Sequence, residues 1–149
     1  MQRFLRGKKA LAGLAIVGGA AIAAVGSAAP ALGFFSPPLL LQIHVNSPGT
    51  LVAKGAGVDL ALQIECAGAR TASLDVSLTE RSGSQIASGF GSAQVGCTNQ
   101  TVLVHVIAQP GRAFKKGTGI ADAFIFACTS SKPRFCGSEE DVRTINIAK

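Results

Sequence analysis

The stretch "VDLALQIEC", residues 58–66, alternates between two kinds of side chain. Val58, Leu60, Leu62, Ile64 and Cys66 fall on one face, and Asp59, Gln63 and Glu65 on the other. Side chains of an extended strand point to opposite sides in turn, so a strand with one buried face fits this period. The same period runs through "LLLQIHV" (39–45), "TASLDVSLT" (71–79), "TVLVHVIA" (101–108), "IADAFIFAC" (120–128) and "VRTINIA" (142–148). It directs Leu41, Ile43 and Val45, then Ala72, Leu74, Val76 and Leu78, then Val102, Val104 and Val106 into a core. "QIASGFGSAQVGC" (85–97) carries it in a glycine-broken form that suits a bulged or edge strand. Turn-forming stretches lie between, among them "NSPGT", "CAGAR", "RSGS", "CTNQ" and "QPGRAFKKGTG". No segment shows a 3.6-residue apolar period with caps. The expectation is an all-β fold: a single immunoglobulin-like antiparallel β-sandwich of about seven strands over residues 39–149.

Residues 1–31 follow another rule. Arg3, Arg6, Lys8 and Lys9 form a positive start, Ala10 to Val25 is uncharged, and Gly26 to Ala31 supplies small residues. This is the pattern of a signal peptide cleaved after Ala29 or Ala31, with a proline-containing lead (32–38) behind it. The competing reading is a retained anchor, since no charge occurs from Ala10 until Lys54. Against it, the strongly apolar residues of the run are Leu11, Leu14, Ile16, Val17, Ile22 and Val25, with alanine and glycine filling the rest. That is weak for the ~20 apolar residues of a spanning helix. No cysteine stands near the cut and no Arg-Arg pair precedes it, so the general export route is expected, without a lipid anchor. The chain is then secreted, with no transmembrane segment after cleavage.

Export changes what charge and cysteine mean. The whole chain is +6, but four of its 14 cations and none of its eight acids leave with the signal. The high isoelectric point therefore does not argue for nucleic acid as a partner. Four cysteines in an oxidising compartment read as two disulfides. Their spacings, C-x30-C-x30-C-x7-C, are not those of a zinc knuckle or a C-x-x-C redox pair, and His44 and His105 stand near none of them. If strands alternate in direction from residue 58, Cys66, Cys97, Cys128 and Cys136 all meet at one pole, where three pairings are geometrically open. Neighbours in sequence close first, which favours Cys66–Cys97 and Cys128–Cys136. Loops of 32 and 9 residues would contribute ~3.7 and ~2.6 kcal/mol in the chain-entropy model.

No enzyme motif is present: no G-x-S-x-G elbow, H-E-x-x-H, Walker loop or dinucleotide fingerprint. His105 alternates with Val104 and Val106 and reads as an outward imidazole. Asp59 and Glu65 share a face but stand ~20 Å apart along a strand, too far for an acid/base pair. Glu139, Glu140 and Asp141 could touch calcium, but three consecutive acids lack the spacing of a calcium loop and read as a solvated turn. Asn99-Gln100-Thr101 is a formal glycosylation sequon. Tryptophan and tyrosine are absent, which removes the usual aromatic platforms for sugars and single strands. Phe90, Phe124 and Phe126 fall on strands, where core packing is the default. The chain is expected to be non-catalytic, to need no cofactor and to hold no metal.

One loop stands out. "PGRAFKKG" (110–117) gathers Arg112, Lys115 and Lys116 around Phe114, at the pole opposite the cysteines, with the loops that carry Lys54 and Arg81. Five cations and no acid would share that end, an anion-facing patch for teichoic acid, phospholipid headgroups or an acidic protein. The competing reading is an ordinary solvated loop.

The export signal, the strand-ending cysteines, "GRAFKKGTGIADAFIFAC" and the closing "RTINI" resemble small secreted two-disulfide β-sandwich proteins of high-GC Gram-positive bacteria. That group has no assigned activity; between a binding module and an enzyme, the expectation is a non-catalytic extracellular or cell-envelope interaction module. A weaker similarity is to the neocarzinostatin-type apo-chromoproteins, which implies an alternative: a carrier of a small apolar ligand in a sandwich cleft, lined here by Phe124 and Phe126. Both disulfides of that family close short loops, and Cys66–Cys97 would not; no binding residue is carried over.

Overall fold

The computed structural model describes residues 38–149. The signal peptide (1–31), its cleavage near Ala29 to Ala31 and nearly all of the lead (32–38) lie outside the described residues.

Eight strands follow in order: β1 (Leu40–Val45), β2 (Gly49–Val52), β3 (Gly57–Ala67), β4 (Ala69–Ser82), β5 (Gln85–Gly96), β6 (Gln100–Ala108), β7 (Gly117–Thr129) and β8 (Cys136–Ala148). The chain is all-β, and its strands form one sheet in the order β1-β3-β2-β8-β7-β4-β5-β6. A further pairing of β3 with β6 closes seven of them into a barrel. β1 and β2 share one side of β3: β1 pairs with its later half, Leu40 opposite Ala67, and β2 with its start, Val52 opposite Gly57.

Closure is uneven. β3 pairs with β6 over eight positions, and β4 with β5 over twelve. β5 meets β6 only at Gly89–Ala108 and Phe90–Ile107. β2 meets β8, in parallel, only at Gly49–Ile147 and Thr50–Ala148. Side chains bridge the second seam where strand pairing is missing. The Val45 amide donates to Asp141 Oδ2 at 2.7 Å, and the Asn146 amide donates to Ser47 Oγ at 3.0 Å.

The alternation read from the sequence sets the inside. Leu60, Leu62 and Ile64 of β3, Leu74, Val76 and Leu78 of β4, and Val104 and Val106 of β6 are buried together. Each such side chain contributes about 1.5–3 kcal/mol on removal from water. β7 supplies mostly alanine: Ala121, Ala123 and Ala127 face inward with Ile125, leaving core volume to the larger residues of β3 and β4.

Four expectations need correction. There are eight strands, because β2 is too short for its alternation to register. Glu139, Glu140 and Asp141 lie within β8, not in a turn, since β8 begins at Cys136 opposite Cys128. Phe90, Phe124 and Phe126 are exposed, at 53%, 37% and 42%. On β7 the face with Phe124 and Phe126 also carries Asp122; burying the phenylalanines would bury that carboxylate, and charge fixes the phase. Phe114, expected on a solvated loop, is 2% exposed and belongs to the core.

Candidate functional site

The pole opposite the cysteines is built by three loops that are tied together. β2 runs into a 3-10 turn, Ala53–Gly55, and the Phe114 amide of the β6–β7 loop donates to Gly55 O at 2.8 Å. Gly55 is buried with φ at +93°, and a Cβ there would strike the Phe114 carbonyl. Only glycine lets the two loops approach so closely. The Phe114 ring passes inward over Gly89 of β5, where a Cβ would lie 2.9 Å from its Cζ. The phenylalanine thus caps the barrel from inside while its neighbours face water.

The third loop joins through Glu80, at the end of β4. Its carboxylate Oε2 accepts from the Lys115 amide at 3.2 Å. Glu80 is 2% exposed, and the cavity of about 120 Å³ beside it is also lined by Arg112 and Lys115. Arg81, the next residue along β4, is exposed and donates from Nε to Gly83 O at 3.2 Å. Lys54, Arg112, Lys115 and Lys116 on their loops and Arg81 at the end of β4 therefore lie at one end of the barrel, all five exposed.

The expectation of a pole without an acid is corrected: the end that carries the five cations also holds one buried carboxylate, Glu80, with Arg112 and Lys115 beside it. Sequence reasoning passed over Glu80 because it follows Thr79 at a strand end, where glutamate is usually solvated. Its parity was the available signal. Glu80 continues the inward series Ala72, Leu74, Val76, Leu78 by period two. Inside a low-dielectric rim a carboxylate needs donors and opposite charge. The Lys115 amide supplies the donor, so the backbone of the basic loop is fastened through Glu80.

The other residues singled out by the sequence are elsewhere. His105 Nδ1 lies 2.6 Å from Asp59 Oδ1, across the β3–β6 pair on the outer surface. Arg143 donates to His44 Nε2 at 3.0 Å and to Asp141, so the acidic run ends in a structural network holding β1 to β8. Asn99 of the sequon is exposed, and its Oδ1 accepts from the Cys66 amide at 3.2 Å. The disulfides are Cys66–Cys97 and Cys128–Cys136, with Cα atoms 4.8 and 4.0 Å apart. Among the described residues no helix is long and apolar enough to cross a membrane, and no group of three His, Cys, Asp or Glu residues is placed to hold a metal.

In comparisons with known proteins the chain matches no family model, no curated protein and no solved structure.

Proposed function

We propose that this chain is a secreted, non-catalytic module that binds an anionic polymer of the cell envelope through its basic pole. The observation that carries the reading is the convergence of Lys54, Arg112, Lys115 and Lys116, with Arg81 at the end of β4, on segments tied by the Gly55–Phe114 and Glu80–Lys115 bonds. Loops held this way present a fixed array of charge, so a polyanion loses its own freedom but the protein loses little. The two disulfides fit an oxidising, extracellular setting, and the positive, apolar and small-residue order of positions 1–31 supports export.

An immunoglobulin-like sandwich is the finer description we favour for the barrel. Its support is the two-position seams, which divide the ring into β1/β2-β3-β6 and β8-β7-β4-β5, and the parallel contact of β2 with β8. An apolar-ligand carrier finds less support. Phe124 and Phe126 point outward, and the cavity beside Phe126 is lined by arginines and hydroxyls.

Co-sedimentation of the protein with teichoic-acid-bearing cell wall tests the proposal. Screening length falls from ~8 Å at 0.15 M salt to ~3 Å at 1 M, so binding should weaken steeply with salt. It should vanish in the triple variant Arg112→Ala, Lys115→Ala, Lys116→Ala. Binding indifferent to salt, or intact in a folded triple variant, would refute it.

A further inference from the structure

At the disulfide pole, β4 breaks its own alternation. Ala69 pairs with Thr129 and Ala72 with Ala127, so Arg70 and Thr71 together stand opposite Cys128. Two residues against one is a β-bulge, a device that re-aims side chains. Period two from Leu74 and Ala72 would send Arg70 towards the core. The bulge instead leaves Arg70 and Thr71 both exposed on the outer surface. The Arg70 carbonyl accepts from the Cys97 amide at 3.0 Å, which anchors the bulge beside the first disulfide.

The loop facing it is equally constrained. Residues 130–135 are closed at the base by Cys128–Cys136. The Thr129 amide donates to Phe135 O at 2.8 Å, and the Phe135 amide donates to the buried Thr129 Oγ1 at 3.0 Å. Arg134 is carried on this clamped loop. Between it and the bulge lies an open cavity of about 480 Å³, lined among others by Arg70, Arg134, Thr71, Ser73, Ser130 and Phe126.

Three properties of this cavity point the same way. No carboxylate lines it, and the ion pairs among the described residues are His105–Asp59 and Arg143–Asp141, so neither arginine is engaged. Guanidinium groups offer only donors, in a fork that matches a carboxylate or phosphate, and hydroxyls can add to them. Phe126, 42% exposed, gives one wall a flat apolar surface. The volume falls within the ~300–1,000 Å³ of small-molecule sites.

We propose that this cavity is a second binding site, for a small organic oxyanion: a carboxylate or phosphate head between Arg70 and Arg134, on a flat apolar body lying against Phe126. It is separate from the basic pole, since Arg70 stands near the start of β4 (Ala69–Ser82) and Glu80 near its far end. The bulge explains why an arginine sits in a strand phase otherwise reserved for core residues. The disulfides explain why the site is preformed.

Titration of the disulfide-bonded protein with phenyl phosphate, benzoate, inorganic phosphate and benzyl alcohol, read by amide NMR shifts, tests the assignment. Saturable shifts of Thr71, Ser73, Ser130 and Arg134 are expected with phenyl phosphate or benzoate, and the tighter of the two identifies the head group. Inorganic phosphate and benzyl alcohol should each bind at least about tenfold more weakly, having only one of the two recognised parts. Arg70→Gln or Arg134→Gln should each weaken the aromatic anions about tenfold. Phe126→Ala should weaken them while leaving inorganic phosphate unchanged. Shifts gathered at residues 112–116 instead would overturn the site, as would unchanged affinity in the double arginine variant with an otherwise native spectrum. Inorganic phosphate binding as tightly as phenyl phosphate would overturn the apolar wall.

Discussion

The amide of Phe114 donates a 2.8 Å hydrogen bond to the carbonyl of Gly55, so the long β6–β7 loop is fastened to the turn after β2 at the residue whose ring enters the core. One residue therefore orders the backbone of the basic pole and fills the barrel end. Phe114→Ala removes the ring and leaves its space over Gly89, a change that costs about 3–5 kcal/mol when a buried phenylalanine is lost. Denaturant unfolding should show that loss. Phe114→Leu, which keeps much of the volume, should recover most of it.

Glu80 gives a sharper test, because its buried side chain accepts from the Lys115 amide. Glu80→Ala leaves the Lys115 amide without its acceptor and removes the carboxylate beside Arg112 and Lys115. The expected cost is about 1–3 kcal/mol. Glu80→Gln keeps an acceptor oxygen and should cost less than the alanine variant. If both variants are as stable as the parent in urea, the carboxylate does not hold the loop.

The Asp59–His105 pair crosses from β3 to β6 at 2.6 Å, with the two side chains 27% and 51% exposed. Solvent screens such a pair, so a double-mutant cycle with Asp59→Ala and His105→Ala should return only about 0.2–1 kcal/mol of coupling. Gly57→Ala should weaken that coupling without replacing either residue, because a Cβ at Gly57 would lie 2.7 Å from His105 Cε1 and push the ring aside. A thermal-melt cycle on the Gly57→Ala background measures it directly.

The disulfides differ in what their loss should do. Cys66–Cys97 spans 31 positions and Cys128–Cys136 only 8. Replacing the first pair with alanine should therefore destabilise more, by ~3.7 against ~2.6 kcal/mol in the chain-entropy model. The second pair also clamps the loop that carries Arg134. Its removal should weaken anion binding at the Arg70–Arg134 cavity even where the barrel remains folded, and the same NMR titration reports it.

Much of this architecture was legible because period two is hard to counterfeit. Val58 to Ile64 and Ala72 to Leu78 are buried as their spacing dictates. Strand direction brought the four cysteines to one pole and left three pairings open, and closeness in sequence favoured the pairing found. β2 left no signal, since "GTLV" is four residues long and is held by its contacts with Val58 and Ile147 rather than by its own pattern. Phe124 and Phe126 were assigned by residue type when Asp122, two positions away in the same phase, already told which side met water. Phe114 lay beyond any local rule: a phenylalanine between Ala113 and Lys115 on a loop shows its burial only once Gly55 and Gly89 are beside it. Arg70 is similar, because a bulge is visible only as a mismatch between two strands.

The seams of the barrel have a consequence for its motions. Each is closed by two residue pairs, against eight between β3 and β6 and twelve between β4 and β5. Opening free energy is unevenly distributed in a fold of this kind, and amides with few neighbouring rungs exchange through small, local events. Gly89, Phe90, Ile107 and Ala108 form the two rungs of the β5–β6 seam, the shortest of the ladders these strands make. The Gln109 amide, which reaches across this seam to Ser88 O, should be replaced by deuterium long before those of Leu62 or Val76 if the molecule opens along a line, like a book at its spine, before it melts.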